Sequence, residues 1–254
     1  MAYFEYLRVR RNFVGFAMFV FAIAAVVNVI SALHSGDIQV SVGEKLHGFS
    51  VVFFTSLAAW GTAILATIIA ASLNQQRDHL SYTWTRPQGR SSLALGLIAV
   101  DVGFLIAGFV LVLLIAMVTF TTVVGGRVPI VWAHAAPALL RGFGLTLMWY
   151  ALVQAATAWG TFRGVTIAAL SWPIFIILAA LEAARFPAPW HQLLTVINLF
   201  NPMAYISGTT VQNNGEVVLH SIIPLGDTAR LLFMYVISSA ALIFAVFSWK
   251  RMEA

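Results

Sequence analysis

Six stretches of the chain, residues 13–33, 49–73, 93–124, 139–159, 165–184 and 231–249, are apolar nearly throughout, and polar residues separate them. A helix that crosses a hydrocarbon core of about 30 Å needs around 20 apolar residues, so the pattern predicts six membrane-spanning helices. Two segments depart from it. Residues 74–92 are polar and aromatic and close on Pro87 and Gly89, which end a helix. Residues 186–230 hold Pro187, Pro189, Trp190, a short apolar run at 193–200, Asn201-Pro202 and the turn Gln212-Asn213-Asn214-Gly215. Their apolar runs are too short to span, and their aromatic content argues against a disordered loop. They predict short interfacial or re-entrant helices before the last span.

Composition agrees with the pattern. Of 254 residues, 61% are hydrophobic and only 9% charged, against roughly 25% charged in an average soluble domain. The expectation is an all-α integral membrane protein, a single domain over residues 1–254 with no room for a large soluble part. Residues 13–33 follow Arg8, Arg10 and Arg11 but exceed the roughly 7–15 apolar residues of a signal peptide and lack a clear cleavage site, so they read as the first span. Residues 1–12 mix Phe4, Tyr6, Leu7 and Val9 with Glu5 and three arginines, and two readings are open: an interfacial amphipathic helix or a charged flank.

The net charge of +5 is spread over the ends of apolar runs and forms no stripe, which reads as topology rather than nucleic-acid binding. With the N-terminus inside, nine of the 14 basic residues fall inside (Arg8, Arg10, Arg11, Arg77, Arg86, Arg90, Arg163, Lys250, Arg251). Five fall outside (Lys45, Arg127, Arg141, Arg185, Arg230). The asymmetry predicts a cell-membrane protein with both termini cytoplasmic. Cysteine is absent, so no disulfide or thiolate metal site exists, and the six histidines show no ligand spacing. No metal is expected.

No phosphate-cradling GxxxxGK[ST] loop occurs, so any ATP must be bound and hydrolysed by another chain. Within residues 74–92, a short helix over residues 77–85 presents Leu80, Trp84 and Tyr82, with Arg77 and Asp78 at its start and Arg86 and Arg90 beyond its end. Aromatic and arginine side chains anchor docking surfaces, and they equally make an interfacial belt with arginines on lipid phosphates. Both readings stand on composition alone.

The run Arg77-Asp78-His79-Leu80, followed by Trp84-Thr85-Arg86-Pro87-Gln88-Gly89-Arg90, resembles the cytoplasmic loop of ABC-2 type ABC transporter permeases. There a polar run, a short coupling helix and a P-x-S-R-like end precede the third span. The order of spans, Asn198-Leu199-Phe200-Asn201-Pro202 in the long external segment and the basic end Trp249-Lys250-Arg251-Met252-Glu253 are also similar to that family. The chain departs from it at Gly89, in place of the motif serine, and at Asn74-Gln75-Gln76, where many members carry an acid before the coupling helix.

The resemblance implies a permease subunit of an ATP-driven exporter, not itself an enzyme. It would pair with a second permease subunit, expected to be its own copy, and rest on two ABC ATPase subunits that hold the ATP and Mg2+. Arg77, Asp78, His79, Leu80, Tyr82, Trp84, Thr85, Arg86, Pro87 and Arg90 would form the ATPase-coupling segment, and this chain would bind no cofactor. Cargo would be lipophilic or amphipathic.

Polar residues within spans mark the other candidates. Asp101, about eight residues into the third span, costs about 2.5–3.5 kcal/mol if truly central, and a structural ion pair with Arg90 or Arg86 is favoured over a proton relay. Arg141 and Gln154 in the fourth span, with Trp149 and Tyr150 between them, are candidates for a substrate path or a helix interface. Glu182 and Arg185 are spaced to pair on one helix face. Gly103, Ala107, Gly108, Gly142 and Gly144 allow close helix approach. Two rival classes are a secondary transporter driven by an ion gradient, which usually shows repeats absent here, and an intramembrane enzyme, which needs acids and histidines converging at one depth.

Overall fold

The computed structural model describes residues 2–33, 49–75, 90–123, 130–132, 135–159, 164–183, 187–205, 208–211, 217–220 and 226–251. These are almost entirely helical: α1 Ala2–Leu33, α2 Val51–Gln75, α3 Arg90–Val123, α4 Ala135–Trp159, α5 Gly164–Ala183, α6 Trp190–Asn198 and α7 Asp227–Arg251. Four short strands complete them. Phe49–Ser50 (β1) and Ile130–Val131 (β2) pair in parallel, and Gly208–Val211 (β3) and Val217–His220 (β4) form an antiparallel hairpin. The strands were not expected in an all-α chain; they stitch connections outside the long helices.

Five helices are long and apolar enough to cross a membrane: Tyr6–Leu33, Val51–Ser72, Ala94–Val123, Ala135–Ala158 and Thr228–Trp249. They fit a multi-pass membrane protein. The remaining expected span also forms a helix, α5, but its apolar stretch Val165–Leu181 is shorter than the other five. The interfacial helix, one of the two readings of residues 1–12, is not a separate element: α1 runs unbroken from Ala2 to Leu33.

Hydrogen bonds between helices set their directions. Arg8 of α1 donates to the carbonyl of Ile69 on α2 and to Asp101 on α3, so the start of α1, the end of α2 and the start of α3 share one end of the bundle, here termed proximal. Asn28 accepts a hydrogen bond from Thr122 at 2.6 Å near the other, distal end. Tyr235 of α7 donates to the Leu140 carbonyl of α4, so α4 and α7 both descend from distal to proximal.

α2 and α4 form the centre. Small residues make this possible: Ala58, Ala59, Thr62, Ala63, Ala66 and Ala70 of α2 are fully or almost fully buried, as are Trp149, Tyr150 and Met148 of α4. Small side chains let helix backbones approach where no hydrophobic drive separates protein from lipid. At Gly142 an added Cβ would lie 2.9 Å from the backbone carbonyl of Thr55 and 3.0 Å from the Phe109 ring. Gly144 faces the Tyr235 ring at 3.1 Å in the same sense, and Gly108 faces Leu65. Gly103 has no atom within 4 Å of such a Cβ, so it takes no part in close packing.

The two kinds of glycine should respond oppositely to alanine. Gly142→Ala pushes against backbone that cannot yield and is expected to destabilise the bundle by about 1–3 kcal/mol. Gly103→Ala gains the helix preference of alanine, about 0.5–1 kcal/mol, and should leave stability unchanged or slightly raised. Thermal unfolding of both variants in detergent measures the difference, and equal behaviour would refute the assignment of Gly142 to the α2–α4 contact.

Candidate functional site

Asp101 sits on α3 with no exposed surface, eleven residues after Arg90. Its Oδ1 lies 3.1 Å from Arg8 Nη2, and its Oδ2 accepts a hydrogen bond from the Tyr150 hydroxyl at 2.6 Å. The same guanidinium, 16% exposed, donates through Nη1 to the Ile69 carbonyl at 3.1 Å and to the Ser72 hydroxyl. Asn12, one turn along α1 from Arg8, also donates to Ser72 Oγ at 3.1 Å, and Ser72 in turn donates to Ile69 O at 2.9 Å. One arginine thus joins α1, α2 and α3, and Tyr150 brings in α4.

Asp101 is ion-paired with Arg8, because α1 packs along α3 and carries Arg8 to the depth of Asp101, with Tyr6 and Phe13 against the Phe104 ring on either side. Arg86, one of the cations expected there, lies outside the described residues. Arg90 starts α3, about 16 Å along the axis from Asp101 at 1.5 Å per residue. The clue lay in the charge map, which put Arg8 and the start of the third span on the same side.

The coupling-segment residues Arg77, Asp78, His79, Leu80, Tyr82, Trp84, Thr85, Arg86 and Pro87 lie outside the described residues, and of Arg90 only its place at the start of α3 is described. The ends that bracket that segment, α2 near Ser72 and α3 near Asp101, are the two that Arg8 ties together. The Glu182 and Arg185 pairing likewise lies outside what is described.

Trp149 is fully buried. Its indole donates to Thr67 Oγ1 at 2.9 Å, and Trp172 of α5 donates to the same oxygen at 3.1 Å. The two indoles lie 4.5 Å apart between centroids, and Phe175 meets Trp149 edge-on at 5.1 Å. Gln154 is also fully buried, one turn proximal to Tyr150, while Arg141 is half-buried near the distal end of α4. Thirteen residues apart, they stand about 20 Å from each other along the helix and make no common site.

The segment before the last span turns inward. α6 leads to Asn198 and Asn201, both 1% exposed, whose side-chain amides donate to the α5 carbonyls of Leu178 at 3.2 Å and Phe175 at 2.9 Å. Asn201 Oδ1 accepts from the Met203 amide at 3.0 Å and starts a buried 3-10 turn, Pro202–Tyr205. Irregular backbone at depth is tolerated where protein satisfies its polar groups, as these two asparagines do. Tyr205 donates to Leu199 O at 2.8 Å; burial pushes its pKa up to about 12 against the opposing pull of Arg230, so the hydroxyl keeps its proton.

Chemically, the proximal cluster is a neutralised ion pair with a phenol donor, suited to holding helices in register. Among the described residues no three His, Asp or Glu side chains converge as a metal site. Comparison of the chain with protein-family models, with curated proteins and with solved structures finds no match.

Removing Arg8 leaves a carboxylate buried without its cation, at a cost of up to about 3–5 kcal/mol. Tyr150→Phe removes one hydrogen bond to a charged group, about 1.5–3 kcal/mol. In a cycle of Arg8→Met, Asp101→Asn and both together, the double variant is expected to lose clearly less than the sum of the singles when unfolding is followed in detergent. Strict additivity would mean that the two side chains do not act as a pair.

Proposed function

We propose that this chain is the membrane-spanning permease subunit of an ATP-driven ABC-2 type exporter. α5 serves as the sixth span, and both termini and residues 76–89 lie on the cytoplasmic side. That orientation rests on the excess of basic residues at the proximal end, where Arg10 and Arg11 are exposed beside Arg8. The permease works as a dimer of copies of itself and takes its energy from two ATPase subunits, since no phosphate-binding loop is present in the sequence.

The observation that carries the reading is the tie across the coupling segment. Arg8 links Ser72, just before that segment, with Asp101, on the helix just after it. A push on residues 77–87 by a closing ATPase dimer then acts on α1, α2, α3 and, through Tyr150, α4 as one body rather than bending a single loop. Rigid elements with a shared polar lock transmit displacement in this way. The paired state of Asp101 favours this role over proton relay, and so over transport driven by an ion gradient.

The test is a pull-down of the tagged full chain in detergent, wild type against the Trp84→Ala/Arg86→Ala double variant, with ATP hydrolysis measured in the eluate. A separate ATP-hydrolysing chain is expected with wild type, and most of it should be lost with the variant. Tyr150→Phe is expected to keep the partner but lower its ATP turnover. Wild type that recovers no ATPase would overturn the reading and bring ion-driven transport forward.

A further inference from the structure

A cleft of about 380 Å3 opens between α1, α2 and α3 in the distal half of the bundle. Its floor is α3 from Val112 to Val123, and its walls are α1 from Phe16 to Val27 and α2 from Phe53 to Ile64. The rim residues Phe19, Ile23 and Val27 on α1 and Phe53 and Leu57 on α2 are each 38–50% exposed, so the mouth faces sideways out of the bundle. The cleft follows from how α1 is held. α1 packs along α3 at both ends, through Arg8–Asp101 proximally and Asn28–Thr122 distally, whereas the hydrogen bonds of Arg8 and Asn12 fasten it to α2 at the proximal end. Towards the distal end α1 therefore stays with α3 and parts from α2.

We propose that this cleft holds one acyl chain of a bilayer phospholipid, drawn from the leaflet at the distal end. Three features carry the assignment. The walls are apolar, with the Thr119 hydroxyl as the one polar side chain among the lining residues, whereas sites for specific small molecules of about 300–1,000 Å3 place several polar groups to orient the ligand. Each wall runs twelve residues, eleven rises of about 1.5 Å or about 16 Å, which matches one leaflet of a hydrocarbon core about 30 Å thick. The polar Asn28–Thr122 pair stands at the distal mouth, within two turns of the ends of α1 and α3, where the headgroup of such a lipid would lie. The buried Phe16 closes the proximal end, so a chain enters to one leaflet's depth and stops. The site needs only that the chain spans a bilayer, and it stands or falls separately from the ATPase partner.

The experiment uses the full chain in phosphatidylcholine vesicles doped with phosphatidylcholine that carries a diazirine within one acyl chain. After irradiation, adducts are located by mass spectrometry. Labelling of the floor positions Ala116 and Phe120 is expected to exceed, several-fold, that of Ile243 and Phe247, which are more than half exposed on α7. Ala116→Phe fills the floor and should remove most of that excess, whereas Leu114→Phe, at a 55% exposed position outside the cleft, should not. If Ala116→Phe does not fold, Ala24→Leu fills the cleft from α1 instead. Floor labelling no higher than on α7 overturns the proposal, with or without variants. So does an unlabelled floor together with an inter-chain disulfide from Leu57→Cys, which the absence of native cysteine makes unambiguous and which would identify a second copy as the occupant.

Discussion

The bundle depends on Asp101, the one carboxylate buried among the described residues, and on the cation that answers it. Asp101 has no contact with solvent, and neither apolar side chains nor lipid can solvate its charge. A cation must therefore reach it from another helix. Arg8 does so from α1, the helix least enclosed by its neighbours, whose apolar face offers little to distinguish lipid from protein. In a bilayer the hydrophobic effect does not pull helices together, so position is set by packing and polar pairing. The Arg8–Asp101 pair supplies the pairing for α1, and Tyr150 extends it to the centre. Partial exposure of the Arg8 side chain lowers the desolvation cost that a fully buried pair would carry.

Packing supplies the other constraint. α2 and α4 approach until Gly142 sits on the Thr55 carbonyl, and this contact places Trp149 over Thr67 and within reach of Trp172. α5, shorter in its apolar stretch, is held from both sides: by its Trp172, which meets Trp149 of α4 over Thr67 of α2, and by Asn198 and Asn201 reaching back from the segment that follows. These asparagines replace with hydrogen bonds what α5 lacks in length. The inward 3-10 turn is thereby a third face of the same core, where Met203, Ala204 and Tyr205 are buried with Trp149.

The long helices were legible because twenty-odd apolar residues leave few alternatives, and the short helix before the last span was legible from its proline-bounded apolar run. The polar site was legible only in part. Asp101 stood out as a carboxylate in an apolar run, but Arg8 did not stand out as a partner, because nearness in sequence drew attention to Arg90 and Arg86 while only the packing shows that α1 lies along α3. The glycines show the same limit. Gly103 and Gly108 read alike in sequence, yet one faces open space and the other faces Leu65, since in an all-round apolar helix no periodicity marks the protein-facing side.

That loss of periodicity also explains the cleft. A soluble helix as apolar as α1 would be driven to bury its whole surface, closing any gap against α2. In a membrane the rim residues Phe19, Ile23 and Phe53 are equally well accommodated by lipid, so nothing forces α1 and α2 together beyond the reach of Arg8 and Asn12. The proximal fastening holds α1 to both α2 and α3, the distal one to α3 alone, and this course of α1 fixes the opening. A change at the proximal pair would therefore be felt at the distal mouth, because both are set by the course of one rigid helix.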